Sequence, residues 1–376
     1  MMQVNQHERS HAYFIYFTLL FFILGCSFLW VLYSNYPPGW DFRNNIYLPS
    51  YLMLQRQSPY NIHVLVDNSN AVWLPMILGI FFPLGYLDLQ NASNLWMLFN
   101  LLALFALIMI VYGKRKPSLL RFIIVVLFIF LTPSTLSHLN LGQVSILVCL
   151  SSVIVIWFDE KLPLWVSGFL LSFALTKPQL VVIFIPAYLF YVLRSRGWRS
   201  SLKLGCWILV GLLIFSLPVM LTNTNWFFDF VTNLKTNPVW EHPSIFIVLS
   251  SSLNEFMQLM RYSFLAFGLI LSLYWLTQSR NKKVLLWILA LTTVFSPYIW
   301  SWDFVILYPL MIYSMFQMKR AFEDALLFGG YFIIIISFIS LKLAGQINDV
   351  HFWWVPWSLL SVTFFIQWLS ENKKNV

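Results

Sequence analysis

AVWLPMILGIFFPLGYL, residues 71–87, decides the topology of this chain. The stretch is apolar enough to enter a bilayer, yet it is short and interrupted by Pro75, Gly79 and Pro83. Counted as a span, it would carry the basic loop Lys114, Arg115, Lys116 to the opposite side from the other basic loops. Short, broken segments at membrane depth are tolerated where they line protein or a water-filled cavity. We therefore expect 71–87 to be re-entrant or surface-lying, within a first extracytoplasmic loop that covers 34–92.

The chain on either side is that of a membrane protein. Of its 376 residues 60% are hydrophobic and only 10% charged, with a mean hydropathy of +0.75. Soluble domains carry about 25% charged residues. Apolar runs near the ~20 residues needed to cross ~30 Å of hydrocarbon recur along the sequence. They predict helices at roughly 13–33, 93–112, 119–137, 143–158, 163–177, 178–193, 204–221, 261–277, 284–297, 301–317, 325–342 and 353–370. The first run is too long for a signal-peptide core and is followed by no small-residue cleavage site, so we expect a retained span. The prediction is a single all-α integral membrane domain, 1–376, of about twelve transmembrane helices.

The net charge of +9 would suggest nucleic acid in a soluble protein. Here 17 of the 23 Lys and Arg residues fall in alternate loops or at the termini, among them Arg9, Arg121, Lys161, Arg194, Arg196, Lys282, Lys283 and Lys373. The positive-inside rule places both termini in the cytoplasm and the larger polar loops outside. No nucleic-acid partner is expected. Cys26, Cys149 and Cys206 all lie in apolar runs and behave as small hydrophobes, so neither a disulfide nor a metal is indicated.

The outer face holds the polar stretches. GWDFRNNIYLPSYLMLQRQSPYNI, residues 39–62, follows the first apolar run and mixes charge, amide and aromatic residues. Asp41 sits at the membrane–water boundary, a candidate catalytic carboxylate. Its plainer role would be an N-cap or a surface partner of Arg43, but a two-residue gap does not pair side chains on one helix. Lys177, in ALTKPQL, is an ionisable group between two apolar runs, with Pro178 breaking the helix behind it. It could hold a phosphate as a point charge, or simply snorkel at a helix end. HLNLGQVS, 138–145, brings His138, Asn140 and Gln143 to a polar break, either as hydrogen-bond donors to phosphate or sugar or as helix caps. In SPYIWSWDF, 296–304, Asp303 opens a helix, and Tyr298, Trp300 and Trp302 could stack on a sugar or sit in an interfacial belt. The second outer loop, 222–260, contributes Trp226, Asp229, Lys235, Trp240, Glu241 and His242. No Gly-rich phosphate loop and no carboxylate cluster of metal-site type appears, so no cofactor and no metal are predicted.

Several stretches in order resemble glycosyltransferase family 87, the polyprenyl-phosphate-dependent mannosyltransferases of the GT-C superfamily. They are WDF at 40–42, SPYN at 58–61, LGQVS at 141–145, GFLLSFALTKPQL at 168–180, RGWRS at 196–200 and SPYIWSWDFVIL at 296–307. The resemblance runs to about residue 317 and implies a GT-C bundle with its active site on the extracytoplasmic side of a cell membrane. It implies Asp41 as general base, with Lys177, Arg43, His138 and Gln143 around the donor phosphate and Tyr60, Trp300 and Asp303 around substrate. The donor would be a hexose, mannose by family, on polyprenyl phosphate; the acceptor would be a glycolipid or glycan hydroxyl. The chain departs from the pattern in its scarce glycine, in RQ before SPYN and in Trp40 before Asp41. A transporter or flippase of a lipid-linked sugar is the alternative, weakened because the helix breaks at 75–83, 138–143 and 177–178 all fall in the first half. An O-antigen polymerase or ligase would want arginines in the 222–260 loop, which offers only Lys235.

Overall fold

The computed structural model describes residues 39–372 apart from 68, 114–117, 238–242, 245–255, 280, 319 and 346–347. The expected first span at 13–33, the basic residues Arg9 and Lys114 to Lys116, and Trp240, Glu241 and His242 lie outside the described residues. Every described element is helical. The chain begins with α1 (Trp40–Phe42), a π-helical turn (Arg43–Tyr47), α2 (Leu48–Leu54) and α3 (Pro75–Phe81). α4 (Leu89–Tyr112), α5 (Leu119–Leu131), α6 (Pro133–Leu141), α7 (Ser145–Phe158) and α8 (Leu164–Ala174) follow. Then come α9 (Phe184–Arg196), α10 (Trp198–Thr222), α11 (Trp226–Thr236), α12 (Phe256–Gln278) and α13 (Lys283–Phe295). A 3₁₀ segment (Ser301–Leu307) leads into α14 (Tyr308–Gln317), and α15 (Ala321–Leu343) and α16 (Trp354–Asn372) close the described fold.

Five stretches are long and apolar enough to cross a bilayer: Leu89–Tyr112, Trp198–Thr222, Met260–Gln278, Ala321–Leu343 and Asp349–Glu371. α5 and α6 make a sixth if their bent pair is one span. The twelve apolar runs therefore do not translate into twelve long helices among the described residues. Several become helices too short to cross alone: the 14-residue α7 rises only ~21 Å. The run at 119–137 is broken inside by Thr132 and Pro133. The ring removes an N–H and pushes Thr132 into an extended conformation, and the two halves meet at 53°. Thr132 then caps the second half by accepting from the Thr135 N–H. α8 stops at Ala174, a few residues before Lys177–Pro178, and a 3₁₀ turn (Pro178–Leu180) intervenes before α9.

The stretch 71–87 forms α3 and a 3₁₀ turn (Phe82–Tyr86), about 18 Å of helix if fully regular. It lies hard against α10: a methyl group on Gly79 would sit 1.9 Å from the Phe215 carbonyl oxygen, so only glycine allows this approach. α11 seals the same region, because Asn233 Nδ2 donates to the carbonyls of Tyr60 at 2.6 Å and Ala71 at 3.0 Å.

The basic loops gather at one end of the bundle. Arg196 pairs with Asp159 at 2.8 Å, Lys282 pairs with Glu160 at 2.8 Å, and Arg121 donates to the Met315 and Met318 carbonyls and pairs with Asp324. α7 runs from Ser145, within hydrogen-bond distance of Lys177 and Asp303, to Phe158 beside Asp159. Its length separates that pair from the ionic floor.

Candidate active site

The N-terminal strip reaches the bundle through two glycines. Gly142 ends α6 in the left-handed region at φ +72°, and a methyl there would lie 2.4 Å from Phe42 Cβ. A methyl on Gly39 would lie 2.5 Å from the Leu141 carbonyl carbon and oxygen. Backbone thus meets backbone, and Trp96 braces the seam by donating from Nε1 to the Gly142 carbonyl at 2.9 Å and stacking on Phe42 at 5.5 Å. The seam delivers Asp41 to Gln143, whose sequence separation is 102 residues. Gly142→Ala should force them apart; a ~1 Å misplacement costs about 10²-fold in rate. Measuring activity alongside thermal unfolding will show whether activity falls further than the fold loosens.

Asp41 is partly exposed, in the short helix α1 just ahead of the π turn. Its Oδ2 accepts from Gln143 Nε2 at 2.5 Å and its Oδ1 from Asn45 Nδ2 at 3.2 Å. Asn45 stands one turn on, and its own Oδ1 accepts from the Val72 N–H at 3.4 Å. Dense surroundings raise the Asp41 carboxyl to about 6; Lys177 and the Gln143 bond pull it down, Asp303 pushes it up, and the Asn45 bond lowers it. Behind Gln143 lies a buried pair: Lys177 Nζ is 2.5 Å from Asp303 Oδ1, 2.8 Å from Gln143 Oε1 and 3.0 Å from Ser145 Oγ. Ser145 Oγ donates to the same Asp303 oxygen at 2.6 Å, and the Trp300 N–H donates to the other at 3.3 Å.

A carboxylate poised near neutrality on two amide donors, at the polar end of a membrane bundle, suits proton abstraction from a hydroxyl. Residues 74–304 match the model of glycosyltransferase family 87. The chain belongs to that family. It is therefore a membrane glycosyltransferase. A search of curated proteins finds no match to this family-87 chain. The matched stretch contains Gln143, Lys177 and Asp303, whereas Asp41 precedes it.

The remaining expected site residues of this family-87 protein fall in three places. Arg43, two residues after Asp41, is partly exposed, its guanidinium 5.0 Å from the Trp40 ring centre and its Nε donating to Asn44 at 2.9 Å. No Asp41–Arg43 ion pair forms, as the spacing implied. Trp300 stacks on Trp302 at 4.8 Å next to Asp303, and Tyr298 faces both carboxylates: burial raises its hydroxyl, and the Asp303 and Asp41 charges add to that.

His138 and Tyr60 stand apart from the cluster. His138 is fully buried, with Nε2 2.9 Å from Asn100 Oδ1. Tyr60 is also fully buried, packed on Phe230, and its hydroxyl donates to the Trp73 carbonyl at 3.2 Å. Both side chains pack inside the bundle, away from the Asp41–Gln143 contact. Asp303 has no exposure, and Lys177 Nζ lies within hydrogen-bond distance of Gln143, Ser145 and Asp303.

Sequence reasoning missed four participants. Asn45 was signalled by its i+4 spacing from Asp41, and Ser145 by its place two residues after Gln143. Asp349 and Lys342 carried no such signal. Asp349 accepts from the Ser301 N–H at 3.0 Å and from its hydroxyl, while Lys342 Nζ lies 2.7 Å from Ser137 Oγ and 4.0 Å from Asp349. They brace the 3₁₀ segment that carries Asp303. Among the described residues no three His, Cys, Asp or Glu side chains group as metal ligands.

Proposed function

We propose that the protein transfers a hexose, mannose first among candidates, from a polyprenyl-phosphate donor to a hydroxyl of a glycolipid or glycan on the extracytoplasmic face. The observation that carries this reading is Asp41: a partly open carboxylate, held by two amide donors, with its proton affinity set near 6. The acceptor oxygen attacks the anomeric carbon while Asp41 takes its proton. The bond from that carbon to the lipid-phosphate oxygen breaks, and its electron pair leaves on the phosphate. Attack opposite the leaving group inverts the anomeric centre. Arg43, cationic, partly exposed and two residues along the chain from the base, meets the phosphate charge. Trp300 and Tyr298 supply aromatic faces for the sugar.

The test is transfer of label from polyprenyl-phosphate mannose to membrane-lipid acceptors in proteoliposomes, with the product's anomeric configuration read by NMR. Inverted product supports the reading. Retained configuration, or labelled lipid crossing the bilayer without transfer, overturns it. Two further outcomes are expected in the same assay. The base must be ionised, so kcat/KM should fall tenfold per pH unit as pH drops below about 6 and level off above it. Arg43→Gln should raise the donor KM by about 10- to 100-fold, the worth of a charge-assisted bond, with a smaller effect on acceptor KM.

A further inference from the structure

We propose that Lys177 is a positioning residue: clamped by Asp303 and Ser145, it orients the Gln143 amide so that its NH₂ group donates to Asp41. The inference rests on Asp41 being the base and concerns how that base is held.

The argument starts from what each group can do. A carboxamide has one accepting end and one donating end, and its neighbours decide which way it faces. One end of Gln143 lies 2.8 Å from Lys177 Nζ, which can only donate. The other lies 2.5 Å from Asp41 Oδ2, which as a carboxylate oxygen can only accept. Reversing the amide would set two donors against each other and two acceptors against each other. Lys177 therefore fixes the direction. An ammonium buried to this depth needs all its protons bonded, and Ser145 and Asp303 take the other two. Its charge is paired with Asp303 at 2.5 Å inside the protein. On the other oxygen of Asp41, Asn45 is locked in the same way by the Val72 N–H. Both amides that hold the base thus have their direction imposed from behind. The charged and titratable groups facing Asp41 are Lys177, Asp303 and Tyr298.

Infrared difference titration of the full chain in lipid nanodiscs tests this without needing turnover. The Asp41 carboxyl band is identified by its loss in Asp41→Asn. Gln143→Leu should move its midpoint up by about one pH unit, the equivalent of one lost hydrogen bond. The double variant Lys177→Met/Asp303→Asn keeps the buried pair neutral and should give a similar upward shift, because Gln143 loses its anchor. Adding Gln143→Leu to that double variant should shift the midpoint little further. Independent, additive shifts, or no shift in the double variant, would overturn the proposal. So would a donor KM for polyprenyl-phosphate mannose raised tenfold in the double variant with an unmoved pH profile, which marks a phosphate contact. Should even the wild-type chain transfer no label, the titration still reports on the clamp, so the two readings fail separately.

Discussion

Asp41→Asn is expected to lower sugar transfer by about 10²- to 10⁴-fold, the usual contribution of a general base. The loss should appear in kcat, since Asn fills the same space and Arg43 is untouched. The acid limb near pH 6 should vanish with it, because no titrating base remains. Stability should not suffer. A carboxyl whose folded pKa is raised from 3.8 to about 6 disfavours the fold once ionised, so its burden is present above pH 6 and disappears as pH falls. Removing that charge is neutral or stabilising at pH 7, and Asn still accepts one of the two amide donors. Thermal unfolding in detergent, run beside the transfer assay, separates a lost base from a lost fold. Wild-type turnover in the variant would assign Asp41 to binding alone and reopen the transporter reading.

The second large effect concerns the fold itself. Lys177→Ala or Asp303→Ala leaves one charge buried without its partner, which costs about 3–5 kcal/mol. Asp303 has no exposure and the Lys177 side chain only 9%, so water cannot rescue the survivor. Either single variant should therefore unfold at a markedly lower temperature and express poorly. Lys177→Met/Asp303→Leu should recover most of that stability, because replacing both charges by apolar groups of similar volume is often neutral or better. It should remain a poor enzyme, since Gln143 is no longer anchored. Recovered stability without recovered transfer is the diagnostic pair of results. By contrast, the pair Lys282–Glu160 has side chains 33% and 76% exposed, and breaking it should change unfolding little.

Much of the site was legible because polar groups are conspicuous in a chain this apolar. Asp41, Gln143, Lys177 and Asp303 each stood out as an ionisable or amide group beside an apolar run. The structure brings the four together. What could not be read was their pairing. Lys177 and Asp303 are 126 residues apart, and nothing local to ALTKPQL or SWDF says that each neutralises the other. Read singly, Lys177 looked free to bind phosphate; paired, it is spent. His138 misled for a similar reason, since its partner Asn100 sits on α4, 38 residues away. The helix count misled for a different one. Hydropathy records where a chain is apolar, but helix continuity depends on single residues such as Pro133 and Pro178, which cut apolar runs into pieces shorter than a bilayer. Asp349 and Lys342 were invisible because they act on a segment some 40 residues earlier, through Ser301.

The seam at Gly39 and Gly142 has a practical corollary for protein engineering. Asp41 rides on a strip that docks onto a separately built cradle, and Asn45, Val72 and the two glycines make up much of the fit. Such a joint is a natural graft point. A strip transplanted from another family member, keeping those few matching positions, would bring its own approach path for the acceptor to an unchanged proton-handling centre.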